Sequence, residues 1–278
     1  MAFTLSHMAA VLPFYPYRRW VSFDALLIGS MLPDLPYVLS SNEAISHQSH
    51  QASGLLTYCL PMGLIVFILW YWLLKRPALS LIHPCHESNL VRHSMQRDSL
   101  SKWSIKFRKY AVFWLTVVLG LLLGTVTHLL WDGITHPDGF IASHVLWLQH
   151  PVNISYLGFM PVARLLQYAT SVLGLLFLIF FAWRWLQQGN LSSANFKCKK
   201  IILKGWHRVL IVSLLGASSL ATALQAGLKW HNLWFSDNYL FIAKVMVGFL
   251  QGMCSAFFVY ALLYQCVYYL DFCRKRKY

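Results

Sequence analysis

The sequence predicts an all-α, polytopic membrane helical bundle of about six spans, with a broken helical segment at its N-terminus. Three observations carry this. Of 278 residues, 58% are hydrophobic and only 12% charged, against about a quarter charged in soluble globular domains. The apolar residues gather in runs near the length that a helix needs to cross a bilayer, about 20 residues. The basic residues, which set a formal net charge of +14, fall in short blocks between those runs.

Taken in order, residues 3–14 predict a short apolar helix that Pro13 and Pro16 break, followed by Arg18, Arg19 and Trp20 as an interfacial anchor. Residues 23–39 form a second apolar piece, interrupted by Pro33 and Pro36 around Asp34. Each piece is short for a span. Two arrangements are open: a hairpin turning at the Arg-Arg-Trp cluster, or one ordinary span over 21–39 behind a cytoplasmic helix. The hairpin is preferred because it returns Asp34 to the depth of His7. The first residues lack the basic region and cleavage site of a secretory signal, so the segment is expected to be retained.

Residues 40–53 are a polar loop with His47 and His50. Further spans are expected over 54–74, 110–131, 161–186, 209–228 and 239–270. The basic segments 75–109, 184–208 and the tail 274–277 share one side if each span crosses once. That side is cytoplasmic by the positive-inside rule. The loops 40–53, 132–160 and 229–238 then share the opposite face. The chain divides into a metal-site helical membrane domain, residues 1–186, and a C-terminal pair of helices, 187–278, in one continuous bundle.

The organising stretch is Tyr110–Gly139. Positions four apart on a helix share one face, and one such stripe reads Gly120, Gly124, His128, Asp132, His136. The glycines would admit a neighbouring helix at close range. Pro137 and Gly139 then stop the helix. A lone histidine on an apolar helix is an ordinary packed polar group, but two histidines and an aspartate on one stripe are costly at membrane depth and point to function. The charge-derived topology brings the His47/His50 loop to the same face, which argues for one composite site.

Other features carry less. The six cysteines form no CxxC pair, so neither a disulfide framework nor a zinc finger is expected. His83-Pro84-Cys85-His86 reads as a solvated loop, and His207 and His231 as interfacial residues. The basic blocks follow the topology rather than forming a separate patch, which excludes nucleic acid as a partner. Gly248 and Gly252 allow close packing of the last span, within one chain or between two. The oligomeric state stays open.

The stretches FTLSHMAAVLP, IGSMLPDLPY, HQSHQASGLLTYCLPMGL, THLLWDGITHPDG and PVARLLQY resemble an uncharacterised family of bacterial membrane proteins, domain of unknown function 4184, over about residues 1–175. A more distant resemblance is to membrane-bound metal-dependent hydrolases related to zinc-dependent phospholipase C. It implies metal ligands at His7, Asp34, His50, His128 and Asp132, and the nearer family adds His47 and His136. Gln48-Ser49 stands where the distant relatives often carry Arg-Gly, and their further His and Glu ligands have no counterpart. The resemblance also implies a bacterial cytoplasmic membrane, and the charge count places the C-terminus on its cytoplasmic side.

A nitrogen and carboxylate set without thiolate suits zinc, one ion or two, and also manganese or iron. The expected activity is metal-dependent hydrolysis of a lipid or membrane-associated phosphoester at the non-cytoplasmic face. Asp138 is a candidate general base or part of the helix stop with Pro137 and Gly139, Arg164 a candidate phosphate holder or an interfacial anchor, and His7 and His47 complete a second metal position or support the ligands. A metal-ion or proton transporter is the alternative, although its polar residues should appear in both halves. A non-catalytic protein with a closed structural metal is the third reading.

Overall fold

The computed structural model describes residues 4–39, 43–82, 102–154, 158–187 and 203–274. The His83–His86 cluster, most of the first basic loop and the basic tail lie outside these residues. Helix dominates. The long helices are α4 (Leu55–Ile82), α5 (Lys102–Thr135), α6 (Val162–Gln187), α7 (Gly205–Lys229) and α8 (Asn238–Arg274), preceded by the short α1 (Phe23–Gly29), α2 (Leu35–Leu39) and α3 (Glu43–Ser49). Each of the five long helices contains a stretch apolar enough to cross a membrane. The chain is therefore a multi-pass helical membrane protein. The sixth expected pass is the proline-broken segment, residues 4–39, and it forms only short helical pieces.

Two compact units divide the chain: residues 1–67 with 103–187, and residues 68–102 with 188–278. The described residues 68–82 cluster with the C-terminal helices.

In the first unit the N-terminal segment is a hairpin. Residues 4–17 run beside α6, where Trp185 Nε1 donates to Tyr15 Oη at 3.0 Å. The chain turns through Arg18–Val21, and the backbone N–H of Ser22 donates to Thr116 O at 3.1 Å, near the start of the apolar part of α5. Ser22 caps α1 through its hydroxyl, which accepts from Ala25 N at 3.4 Å. The returning α1 lies against the Gly120/Gly124 stripe. A Cβ at Gly120 would collide with Ser22 O and Ala25, and one at Gly124 with Leu26 O and Ser30 N. Gly29 is equally tight against the Leu121 backbone, and Thr125 Oγ1 donates across to Gly29 O at 3.2 Å. Close backbone approach and interhelical hydrogen bonds hold such a contact in lipid, where the hydrophobic effect between helices is absent. Ala25, Leu32, Cys59, Phe67, Val117 and Leu121 fill the core beside it.

The segment expected as a loop over 132–160 is ordered by local structure. It holds an antiparallel ribbon, β1 (Pro151–Ile154) on β2 (Gly158–Pro161), with Pro151 opposite Pro161. Gly158 opens β2 at φ 75°, a conformation that favours glycine. The basic segment is also more helical than expected. α4 continues through Lys75–Ile82 and α5 begins at Lys102, because Lys and Arg are good helix formers whose long stems reach past the apolar zone.

In the second unit, Gly248 and Gly252 of α8 meet the Thr222 and Ser218 backbone of α7. Ser218 Oγ donates to Gly252 O at 3.2 Å. The glycine contact is thus made within one chain. Pro77 cannot donate to Leu73 O, and α4 widens over Trp70–Leu74, just ahead of it. The side chain of Gln265 on α8 supplies the missing donor, at 3.0 Å from Leu73 O and 3.3 Å from Trp72 O. This bond, with Ser80 Oγ 2.8 Å from Tyr260 Oη, explains why residues 68–82 belong with the C-terminal helices. His207 stacks on Trp206 in the first turn of α7 rather than in a loop, and is half-buried, whereas His231 is exposed. Cys59, Cys254 and Cys266 are free thiols.

Candidate metal centre

The site grows from the packing just described. The α1–α5 contact carries the end of α1 to the level of His128, whose Nδ1 lies 2.7 Å from Ser30 O. A carbonyl only accepts, so Nδ1 holds the ring proton and donates it. The turn after α1 then delivers Asp34, buried to 1% exposure. α3 is pinned to that turn by Ser49, whose hydroxyl donates to Pro33 O at 2.7 Å. Past α3, His50 Nδ1 lies 2.9 Å from Ser46 O and likewise donates. In their neutral forms both rings therefore present a bare Nε2 lone pair.

Those lone pairs converge on two carboxylates. His50 Nε2 lies 3.5 Å from Asp34 Oδ1 and 3.6 Å from Asp132 Oδ2. His128 Nε2 lies 3.2 Å from Asp132 Oδ2 and 3.9 Å from Asp34 Oδ1. One ligand atom from each of Asp34, His50, His128 and Asp132 falls within 4.8 Å of every other. Two donors each about 2.1 Å from a tetrahedral ion stand about 3.4 Å apart, so the spacing fits one shared cation. Asp34 Oδ1 and His128 Nε2 are buried and make no hydrogen bond among the described residues. Ring nitrogen and carboxylate so placed in a dry pocket need a shared cation or a proton between them.

Asp132 Oδ1 faces the other way, 3.5 Å from His7 Nε2 and 3.5 Å from His136 Nδ1. The His7 ring stacks on His128 with centroids 4.0 Å apart. Outside the five long helices, burial and then the neighbouring His128 push the His7 imidazole down to about 3. Burial also lowers His136. Burial alone would raise Asp34, but the His128 and His50 rings outweigh it and hold the carboxyl well below its usual range. The pull on Asp34 is that of a charged His128 ring, and a bound divalent cation would take its place beside the ionised carboxylates.

Six of the seven expected ligands thus come together: His7, Asp34, His50, His128, Asp132 and His136. His47 does not join them. It is exposed on α3, its Nδ1 3.1 Å from Gln51 Nε2. Asp138 is exposed in the turn that ends α5, where Gly139 N donates to His136 O at 2.9 Å. Arg164 is half-buried in the first turn of α6. Four groups escaped the sequence reading. Ser30 and Ser46 act through backbone carbonyls, which leave no residue signature, and Ser49 acts as a staple. Gln167, buried on α6, sets its amide nitrogen 2.8 Å from His136 Nε2. The last lies one turn after Arg164 in an apolar helix, with no periodicity to mark it.

A polytopic helical membrane protein with a buried His/Asp cluster is the class that this geometry defines. The chain belongs to the family described as a domain of unknown function (DUF4184), which matches residues 1–262. That match extends past residue 175, so the C-terminal helices are part of the family's architecture. No curated protein and no solved structure matches the chain.

Proposed function

We propose that this protein is a metal-dependent hydrolase of the bacterial cytoplasmic membrane, with its site at the non-cytoplasmic face and its C-terminus in the cytoplasm. The observation that carries the reading is the convergence of the His50 and His128 Nε2 atoms, whose rings are oriented by the Ser46 and Ser30 carbonyls, on Asp34 and Asp132. Asp34, His50, His128 and Asp132 hold the ion. Zinc suits this donor set best, with manganese or iron as alternatives. Bound there, the ion supplies Lewis acidity and a water acidified toward hydroxide.

The chain's own residues then divide the work. Asp34 and His128 are sealed from solvent, whereas the His50 and Asp132 side chains remain 25% and 13% exposed. One side of the cluster therefore stays open, as an enzyme needs and a closed structural site does not. Arg164 holds the substrate phosphate, and Asp138, at the end of α5, accepts a proton. The substrate is a lipid or another membrane-associated phosphoester. A transporter reading gains less support: among the described residues the one group of this kind lies at one end of α5, without a counterpart in the second unit.

Elemental analysis of the purified protein beside Asp132→Ala, with hydrolysis of phospholipid vesicles and of a soluble phosphodiester by both, tests the proposal. Metal and hydrolysis present in the first and lost in the second is the expected result. A metal-loaded protein that hydrolyses neither substrate faster than Asp132→Ala sinks the hydrolase reading, and equal metal content in both sinks the site.

A further inference from the structure

Asp132 is a ligand with two differently engaged oxygens. Oδ2 faces His50 and His128, while Oδ1 faces His7 and His136. What sets the orientation of His136 is its far nitrogen. Gln167 Nε2 stands 2.8 Å from His136 Nε2, across 31 positions of sequence, and the glutamine is only 4% exposed. An amide nitrogen donates and never accepts. With the amide nitrogen as donor, Nε2 accepts, and neutral His136 then carries its proton on Nδ1, 3.5 Å from Asp132 Oδ1.

We propose that Gln167 is a positioning residue: it fixes the His136 ring so that Nδ1–H steadies Asp132 Oδ1, reserving Oδ2 for the metal. This rests on the metal reading above, and it turns His136 from an expected ligand into a partner of a ligand. The backbone of α6 is suited to the task. Gly174, seven residues further along, brings α6 close to Ser6 and Ala9, which flank His7. The same helix thus packs beside the segment that carries His7. Partners of this kind typically change metal affinity about 10- to 100-fold when removed, without touching the ion.

The test is metal affinity in detergent, read by competition with a chromogenic chelator, for wild type, Gln167→Leu, His136→Ala and the double variant. Gln167→Leu keeps the volume and removes the donor. The expected result is a loss of about tenfold or more in Gln167→Leu that vanishes in the His136→Ala background, because contacting residues are non-additive. Equal affinity in Gln167→Leu and wild type overturns the proposal, and so does the same loss in both backgrounds. Wild type that binds no metal ends the metal reading separately. The ring-nitrogen chemical shifts of His136 then still decide the role of Gln167: an Nδ1–H tautomer that Gln167→Leu abolishes supports it, and unchanged shifts overturn it.

Discussion

His128 and Ser30 are 98 positions apart, yet the ring donates from Nδ1 to the Ser30 carbonyl at 2.7 Å. That bond links helix packing to site chemistry. It exists only because Gly124 lets α1 lie directly on α5, and it decides which nitrogen of His128 is left to face the carboxylates. A backbone carbonyl cannot be deleted by substitution, so its role is tested through the glycine that positions it.

Gly124→Ala should weaken metal binding at least tenfold while every ligand remains. The added Cβ would overlap Leu26 O and Ser30 N, both backbone atoms, so α1 must shift and carry Ser30 O away from His128. Losing such an orienting partner costs about 10- to 100-fold in affinity. Chelator competition measures it. Gly216→Ala, where an added Cβ meets nothing within 4 Å, should leave affinity unchanged. An unaltered affinity in Gly124→Ala would separate the packing from the chemistry.

The two loop histidines should behave oppositely. His50→Ala removes one of the four convergent donors and should abolish metal retention after dialysis. His47→Ala removes an exposed ring that touches Gln51, and should change neither metal content nor stability by more than about 0.5 kcal/mol. If His47→Ala also loses the metal, the assignment of four ligands is incomplete.

The stripe on α5 was legible in the sequence because spacing by four is a property of the helix alone. Asp34 and His7 were legible through prolines that forbid a straight span and so favour the hairpin. His47 was expected beside His50, but it lies exposed within α3, whereas His50 follows α3 at the turn where Ser49 is tied to Pro33 O. Gln167 and Gln265 were passed over because an amide in an apolar helix has no periodicity to announce it. Each is recognisable only once its distant partner, a ring nitrogen or an orphaned carbonyl, is in place.

Gln265→Leu should destabilise the second unit by roughly 0.6–2 kcal/mol, the range for single interhelical hydrogen bonds in membranes. The substitution leaves Leu73 O without the donor that replaces the missing N–H of Pro77. The pair can be separated by a double-mutant cycle of unfolding midpoints. In Pro77→Ala the helix regains its own N–H, so Gln265→Leu should then cost little. Equal losses in both backgrounds would show that Gln265 stabilises by packing instead.

The hairpin makes a prediction about sidedness. Trp20 is 77% exposed at its turn, and Leu146 is 91% exposed in the segment after α5. The Ser22 contact places the turn near Thr116, whereas the segment with Leu146 follows the opposite end of α5. A single cysteine at position 20, in a background without the native cysteines, should react with a membrane-impermeant maleimide only after the cytoplasmic face is opened. One at position 146 should react in intact cells. This expectation follows the proposed orientation, which rests on the positive-inside rule and would put the open side of the cluster outside the cytoplasm. Labelling of both positions from one side would contradict the hairpin contacts. Opposite labelling with the sides exchanged would keep the fold and move the site to the cytoplasm.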